Sequence, residues 1–458
     1  MADETTPIGE PLTAKYRNSF AYTTIKDRLP VILSKIADSL CRMKDQVKAD
    51  YGEKGCNELK TIIGCMSKLR NEVQTDKTLK PIEDQRSDVS QWNDYLVEVR
   101  NLAAGNVSSS SSSVEDSSAN VSWFNERWLY VECYMYRRVQ EAVELCEVLN
   151  QLDVFQQQKQ SALLSSQPAI DGLLSFLDDL LSKLGPSISD FDLQVAFKHL
   201  IQVALWSNKC DLSISAGAEM KYQFSLLETL KILSDNILVD DTSSIWNQLE
   251  KMRHPSDYPT SARIDIVLDN SGYELITDLC LAEFFIASGL VTTVHFHGKA
   301  FPWFVSDTTQ EDFYSTLTKL EQSTDEVAAR FGQKWLKRLQ DGSWHFTVHD
   351  FWTLPYTFDQ MKLRSPNLYN HLAASNLILF KGDLNYRKLV GDINWDTTTP
   401  FCDALRGFHP APLCVLRTIK SDTVAGLNDD VKTKVSNTDA QWMINGNWGI
   451  ISFSDQIS

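Results

Sequence analysis

The chain of 458 residues is 43% hydrophobic and 23% charged, which is ordinary for a globular protein and long enough for one large domain with a smaller one, or for two comparable domains. Sixty acidic residues against 44 basic ones give a formal net charge of −16, which disfavours non-specific binding to nucleic acid or to an anionic membrane. No run of about 18 apolar residues is present, so no transmembrane helix is expected.

The start of the chain and its cysteines indicate a reducing compartment. The first residues, MADETTPIGEPL, are acidic and polar and lack the basic and apolar regions of a signal peptide. The nine cysteines are dispersed without a CxxC pair, and an odd number does not suit a disulfide framework. We therefore expect free buried thiols and a cytoplasmic location, with the nucleus as a second compartment that the sequence leaves open.

The first half of the chain, residues 1–260, is predicted to form a helical domain. Its apolar residues recur at helical spacing in several long segments. The segment 107–122, VSSSSSSVEDSSANVS, differs because it is rich in serine and acidic residues and cannot bury enough apolar surface to order itself. We predict a disordered loop there. The predicted helices cover 24–47, 56–74, 127–152, 169–185, 192–208 and 221–241.

The second half, residues 261–458, is predicted to form an α/β catalytic domain. Short, β-branched and apolar segments alternate with helix-like ones, which indicates a mostly parallel sheet covered on both faces. We expect a doubly wound, Rossmann-like arrangement. The predicted strands cover 262–270, 291–298, 344–351, 375–383, 411–418 and 448–455, and the helices between them 273–288, 309–340, 359–374 and 384–390.

Polar side chains gather where several of these strands end, and in an open α/β sheet ligands bind at the carboxyl ends of the strands. The first strand leads into Asp269 and Asn270, and the segment after the second brings Asp307. The segments after the fourth and fifth strands supply Lys381, Asp383, Asn385, Arg387, Lys388, Arg417, Thr418 and Lys420. We therefore predict one rim that collects acids, amides and cations, although the protein as a whole is strongly acidic.

The acids and amides of this rim favour a metal site with oxygen ligands. Asp269, Asn270 and Asp307 offer oxygen and neither sulfur nor imidazole, which suits Mg²⁺ or Mn²⁺ better than zinc. Arg387 and Lys420 could then bind phosphate oxygens. Taken alone, the sequence Asp-Asn-Ser-Gly is typical of a turn with a helix N-cap, and it is the combination of motifs at several strand ends that favours a site.

Several segments together resemble one known family. LDNSGYELITDLCLAEFF, FVSDTT, KGDLNYRKLVGD and RTIK, with WLYVECYMYRR and SWHFTVHDFWTLPYTF, are similar to the metal-dependent damage-control phosphatases, in the sugar-phosphate subfamily that carries an RTxK motif. The resemblance covers nearly the whole chain. It implies a phosphatase that hydrolyses sugar phosphates such as fructose 1-phosphate and fructose 6-phosphate, with Mn²⁺, Co²⁺ or Ni²⁺.

The resemblance also implies roles for individual residues. Asp269, Asn270 and Asp307 fall on the metal ligands of the family, and Asp269 and Asn270 on substrate contacts as well. The other implied substrate-binding residues are Asp383, Leu384, Asn385, Tyr386, Arg387 and Lys420.

Animal members of the family have also been described as S-adenosylmethionine-dependent methyltransferases that modify protein glutamate, an activity that requires a protein substrate. In that description Glu274 and Asp307 fall on the cofactor contacts. The residues support this alternative less directly, because a methyltransferase commonly has a Gly-rich loop after its first strand, and DNSGYE holds one glycine. A non-catalytic binding module is a third alternative, which the retained metal ligands and pocket residues disfavour.

Phosphatase chemistry assigns catalytic roles to Asp269, Asp307 and Asp383. We expect a metal-bound water rather than Asp269 to attack phosphorus, because phosphatases of the haloacid dehalogenase type, which use an aspartate nucleophile, carry a DxDxT motif that is missing here. Asp383 is left open between a general acid, a general base and a residue that orients Arg387 and Lys381.

His295 and His297 lie on the same face of a predicted strand, a spacing that could suit a metal. No third ligand is evident from the sequence, so a structural role is predicted for both.

Overall fold

The structure, a computed structural model, describes residues 4–105, 121–184, 189–207, 209–210, 220–253 and 262–455. The predicted disordered loop at 107–122 lies outside the described residues except for Val121 and Ser122, which are buried. Ser122 forms an isolated β-bridge with Thr78. Among the described helices, none is both long and apolar enough to cross a membrane.

The described residues contain a seven-stranded sheet with the order β1-β7-β6-β5-β2-β3-β4. Every neighbouring pair is parallel except β6 and β7, so the predicted mostly parallel α/β fold and its six strands are confirmed. The strands are β1 Ile237–Asp240, β2 Arg263–Val267, β3 Thr293–Gly298, β4 Trp344–Val348, β5 Leu377–Lys381, β6 Leu413–Thr418 and β7 Gly449–Ser454.

Strand β1 shows that the predicted helix over 221–241 was wrong in its last part. The helix ends at Ser234, and the chain turns before Ile237. Leu238 and Val239 continue the apolar spacing of the helix, and a short apolar run does not by itself distinguish helix from strand. Pairing with β7 decides the conformation, because the strand satisfies backbone groups that β7 would otherwise leave open at the edge of the sheet.

Helices cover both faces of the sheet. A π-helical turn, Thr24–Arg28, connects the first two of them, and the predicted segment 309–340 is divided into two helices. The helices are α1 Phe20–Thr23, α2 Leu29–Arg42, α3 Lys44–Gln74, α4 Val89–Gly105, α5 Trp128–Glu144, α6 Gln156–Ser165, α7 Gln167–Ser182, α8 Asp190–Leu205, α9 Met220–Ser234, α10 Thr242–Arg253, α11 Tyr273–Ala287, α12 Gln310–Glu321, α13 Glu326–Gln340, α14 Met361–Arg364, α15 Pro366–Ala373, α16 Gly382–Leu389, α17 Phe401–Ala404 and α18 Asp429–Thr438.

The sheet separates two hydrophobic cores, and successive residues of each central strand belong to different ones. In β2, Val267 belongs to the core that includes residues of helices α1 to α5, whereas Ile266 belongs to the core that includes residues of α7, α8 and α11 to α13. In β5, Phe380 and Leu379 divide in the same way. Because side chains alternate along a strand, a strand buried on both faces must be apolar throughout, which explains the unbroken apolar runs of the sequence.

Helices from the first half of the chain therefore lie on both faces, and β1, from the same half, belongs to the sheet. The division into domains at residues 260 and 261 stays a prediction.

The order of the strands determines where a ligand can reach the sheet. Strand β2 continues through α11 to β3 on one side, while β5 continues through α16 to β6 on the other. The chain thus moves away in opposite directions from the neighbouring pair β2 and β5. A crevice opens at such a switch point, outside the carboxyl ends of the strands, and Asp269 lies there.

Candidate active site

The loop between β3 and α12 lies against the end of β2 and holds the predicted metal ligands together. The backbone N–H of Thr308 donates to the carbonyl of Asp269 at 2.8 Å, and that of Ser271 donates to the carbonyl of Ser306 at 2.7 Å. Asn270 and Asp307 form an isolated antiparallel bridge between these hydrogen bonds. Residues 269, 270 and 307, distant in the sequence, are therefore neighbours in the fold.

Three buried carboxylates meet at this point. Asp269 is 8% exposed, Glu274 7% and Asp307 2%. Burial, followed by the negative charges of Asp307 and Glu274, raises the pKa of Asp269 well above its usual value. Burial also raises the pKa of Asp307, against the effect of Lys299, which forms an ion pair with it at 3.0 Å. The pocket concentrates more negative charge than its own cations neutralise, and a bound cation would relieve that repulsion.

The carboxamide of Asn270 lies between two of these acids. Its Nδ2 donates to Asp269 Oδ2 at 2.8 Å and to Glu274 Oε2 at 3.0 Å, while its Oδ1 accepts from Ser306 Oγ at 2.5 Å. The Nδ2 atom of Asn270 therefore faces the acids, in the place where a metal ligand would have to present its oxygen. Asn270 becomes a metal ligand only if the carboxamide turns over, a rotation about one side-chain bond.

Gly382, the first residue of α16, makes room for Asp269. Its φ of +85° is in the left-handed region, and a Cβ there would lie 1.9 Å from Asp269 Oδ2. No L-residue with a side chain fits that space. The glycine of the KGD motif therefore lets the two neighbouring strand ends approach closely enough to form the site.

A cavity of about 200 Å³ opens over these residues. Helix α5, from the first half of the chain, contributes Trp128 and Glu132 to its wall, one turn apart on the helix. Helical spacing alone did not separate them from ordinary core residues. The charged residues that line the cavity are Arg28, Glu132, Asp269, Glu274, Asp307, Asp383, Arg387 and Lys420.

The predicted phosphate-binding cations differ in how freely they can act. Arg387 is 3% exposed, donates Nε and Nη2 to Asp392 at 2.7 and 3.0 Å and Nη1 to Glu132 at 2.6 Å, and stacks on Trp128 at 3.7 Å. The side-chain ammonium of Lys420 is exposed and has no hydrogen bond or ion pair with any described residue. Lys420 is therefore the more available cation, while Arg387 has a fixed position in the wall.

Asp383, predicted as a general acid, a general base or a residue that orients Arg387 and Lys381, has its hydrogen bonds with other groups. Its Oδ1 accepts from Arg417 Nε at 2.8 Å and from the backbone N–H of Lys420 at 3.1 Å. The pKa of Asp383 is lowered because Arg417, followed by Arg387, outweighs the effect of burial. An ionised carboxylate of this kind is a poor general acid, and its contacts instead hold the loop that carries Lys420.

The other polar residues of the predicted rim have structural contacts. Lys381 Nζ donates to Asp278 at 2.5 Å and lies 3.4 Å from Glu274. Arg417 donates to the carbonyl oxygens of Ser421 and Thr423 at 2.9 and 2.6 Å, so it shapes the loop after β6.

Of the remaining predicted substrate-binding residues, Leu384 lines the cavity, and the side chains of Asn385 and Tyr386 point elsewhere. Asn385 Nδ2 donates to the carbonyl of Lys381 at 2.7 Å, and the hydroxyl of Tyr386 accepts from the backbone N–H of Ala425 at 2.9 Å. These two side chains fasten α16 to its surroundings and do not face a ligand in the cavity.

Asp265, His297 and His371 form a second group that could hold a metal, with ligand atoms within 4.8 Å of one another. His297 thus has the partners that the sequence did not reveal, since His371 lies on the distant helix α15. Arg263, however, donates twice to Asp265 at 2.7 Å and lies 2.5 Å from His371. A guanidinium already occupies the middle of this group, which makes a cation less suited to it than to the acids at the end of β2.

Comparison with known proteins shows the family of the chain. The damage-control phosphatase ARMT1-like domain matches residues 24–435. The zebrafish protein named damage-control phosphatase ARMT1 is 44% identical over 446 residues, 97% of each chain, and its human counterpart is 40% identical over 435 residues, 95% of this chain and 96% of the other. The chain belongs to the ARMT1-like damage-control phosphatase family, which is a family of phosphatases.

A solved structure of a DUF89 family protein from Pyrococcus horikoshii covers 91% of this chain and 95% of its own, with 12% sequence identity and a TM-score of 0.38.

Proposed function

We propose that the protein is a metal-dependent phosphomonoester hydrolase that acts on phosphorylated small molecules. The observation that carries the proposal is the cluster of Asp269, Glu274 and Asp307, three buried acids that repel one another in a cavity that Lys420 also lines with an exposed ammonium. Such a cluster supplies the negative charge that a divalent ion needs, and the free lysine supplies positive charge for a phosphate.

The donor atoms fit a hard divalent ion. Asp269 and Asp307 provide carboxylate oxygens, and Asn270 provides an amide oxygen once its carboxamide turns over. Oxygen donors suit Mn²⁺ or Mg²⁺, and Ni²⁺ and Co²⁺ are the other metals that the family suggests. When bound, the ion supplies Lewis acidity, which neutralises charge on a phosphoryl oxygen and lowers the pKa of a water.

Residues of the chain then bind the phosphoryl group and position the groups that bind it. Lys420 binds phosphoryl oxygens as a point charge, and Arg387 offers its unused N–H groups from a fixed position. The carboxylate of Asp383 accepts a hydrogen bond from the backbone N–H of Lys420 and so positions the loop that carries this lysine. Asp269 is enclosed by Asn270 and Gly382, which favours its role as a ligand over a role as nucleophile, so water is the proposed attacking group.

Fructose 1-phosphate and fructose 6-phosphate are the proposed substrates. The polar cavity of about 200 Å³ over the acids is smaller than the roughly 300 Å³ at which pockets for drug-sized ligands begin, so the part of a ligand that reaches the acids is small, as a phosphate group is. The cytoplasm, with the nucleus as a second compartment, remains the predicted location.

Phosphate release from fructose 1-phosphate tests this function. The purified protein should be active with Mn²⁺ and inactive after chelation, and added Mn²⁺ should restore the activity. Asp269→Ala and Asp307→Ala should each remove the restored activity, whereas Glu228→Gln, at an exposed position of α9, should keep it. Metal-dependent activity that survives in both aspartate variants would show that the site is elsewhere.

Methyl transfer with S-adenosylmethionine finds less support. Glu274, one predicted cofactor contact, accepts from Asn270 at 3.0 Å and lies 3.4 Å from Lys381, so it belongs to the charged cluster. Most of the residues around Glu274 in that cavity are charged or polar, which suits a phosphate ester better than an adenine ring. Methyl transfer to a protein carboxylate that survives substitution of both Asp269 and Asn270 would favour this alternative.

A further inference from the structure

The candidate active site continues into a second, larger cavity. This cavity has a volume of about 620 Å³ and a mostly apolar wall, to which Phe20, Ile32 and Phe155 contribute. Arg28 and the loop residues Phe304 and Ser306 line both cavities. Arg28 therefore stands at the junction, where the polar cavity of about 200 Å³ opens into the apolar one.

A local irregularity of the backbone places Arg28 there. It is the last residue of the π-helical turn Thr24–Arg28, in which the N–H of Leu29 donates to the carbonyl of Thr24. Thr24 and Ile25 are buried and fasten the turn to the core, while Arg28 is exposed. A π-helical turn adds a residue to the helix and often occurs at functional sites, because it redirects one side chain without moving the rest of the helix.

Arg28 is also one of the few cations near the site without a partner. Arg387, Lys381 and Lys299 are each held by carboxylates. In the described part of the chain, neither Arg28 nor the ammonium of Lys420 has a hydrogen bond or an ion pair. An unpaired guanidinium that faces a binding cavity is available to a ligand, and its planar fork of donors suits ligands with neighbouring acceptors.

The two free cations face different parts of the cavity system. The charge of Lys420 acts on Asp269, so Lys420 lies close to the acids that would hold a metal. Arg28 instead shares the apolar cavity with Tyr136, on whose hydroxyl its charge acts. A phosphate ester whose phosphoryl group lies beside Lys420 would therefore present its alcohol portion to Arg28.

We infer that Arg28 is a specificity-determining residue that binds hydrogen-bond acceptors on the alcohol portion of the substrate. The inference rests on the proposed phosphatase function and deepens it by naming a substrate class. That class consists of phosphate monoesters whose alcohol carries hydroxyl, carbonyl or acidic groups near the ester, in preference to esters of plain apolar alcohols. A guanidinium discriminates between these two classes of ester by the acceptors on the alcohol portion. The phenol portion of phenyl phosphate, for example, offers no acceptor beyond the ester oxygen.

The test compares fructose 1-phosphate with phenyl phosphate as substrates of the full chain with Mn²⁺. Arg28→Gln should lower kcat/KM for fructose 1-phosphate by roughly tenfold, mainly through KM, and should affect phenyl phosphate less than about threefold. Lys26→Gln, in the same turn, is the matched control, since Lys26 contacts the ring of Tyr22 and lines neither cavity. The Lys26→Gln variant should keep the kcat/KM of the unaltered protein for both substrates.

Each other result has a distinct meaning. Equal losses for the two substrates in the Arg28→Gln variant would place Arg28 on the phosphoryl group and overturn the inference. No loss for either substrate would overturn it as well. Failure of the unaltered protein to hydrolyse either ester with Mn²⁺ would instead refute the proposed function. Thermal unfolding of the three proteins checks that the exposed substitutions leave the fold intact.

Discussion

The carboxylate of Asp269 lies so close to Gly382 that a Cβ on the glycine would be 1.9 Å from Oδ2 and 2.2 Å from Cγ. The two residues follow neighbouring parallel strands, β2 and β5, whose pairing aligns Val267 with Phe380. This contact brings the first turn of α16 against the proposed metal ligand, and it depends on the missing side chain and on a φ of +85°.

Gly382→Ala should therefore abolish the site. We expect loss of Mn²⁺ binding by calorimetry and a fall in phosphatase activity of more than about 100-fold, because the added methyl group forces Asp269 out of position. Gly407→Ala is the matched control, since Gly407 has a φ of +82° and no atom lies within 4 Å of the place that its Cβ would take. That variant should lose about 1 kcal/mol of stability through backbone strain and keep its activity. Equal activities in the two variants would contradict the role of the close contact.

Asp269→Asn should raise the thermal stability of the metal-free protein at pH 7. The pKa of Asp269 is raised in the folded state, so the folded state binds the proton more tightly than the unfolded state does. Stability that depends on this group is therefore lost as pH rises from about 3.9, the unfolded pKa, through the raised pKa. Asp269→Asn removes the negative charge and therefore this loss of stability. Mn²⁺ should reverse the order of the two melting temperatures, and a lower melting temperature of the variant without metal would refute the repulsion.

Metal binding should release protons. Because the pKa of Asp269 and that of Asp307 are both raised, a metal must displace protons from the site over the pH range in which these acids still bind them. The apparent affinity for Mn²⁺ should rise with pH. Calorimetry in buffers of different ionisation enthalpy measures the number of protons released, and Asp269→Asn should reduce it. A binding enthalpy that is the same in all buffers would show that both acids are already ionised.

Arg387→Met should destabilise the protein by about 3–5 kcal/mol, the typical cost of leaving buried charges without their partner. Glu132 and Asp392 both depend on this guanidinium, and all three side chains are at most 4% exposed. Arg406→Met, which removes a pair with Asp359 at a position 29% exposed, should cost about 1 kcal/mol or less. Urea unfolding measures both, and similar losses would show that the burial of the Arg387 network has little energetic consequence.

The sequence was informative where a local pattern and a general rule were sufficient. Asp269 and Asn270 follow an apolar strand, and the rule that ligands bind at the carboxyl ends of parallel strands placed them and Asp307 at one rim. The sheet itself was predictable, because strands buried on both faces must be apolar throughout. Strand β1 was missed because three apolar residues, 237–239, fit either conformation until β7 pairs with them.

Which charged groups remain free was decided only by the tertiary structure. Asp383 and Arg417 are 34 positions apart in the chain, yet they pair at 2.8 Å, and Arg387 is held by Glu132 from a helix 255 positions away. Arg28 and Lys420 stay unpaired because no described acid lies within ion-pair distance of them. The sequence determined which kinds of groups stand at the end of each strand. The distances between these groups are established only in the folded chain. Because electrostatic interactions act through space, those distances decide which groups pair, how their pKa values shift and which two cations are left for a ligand.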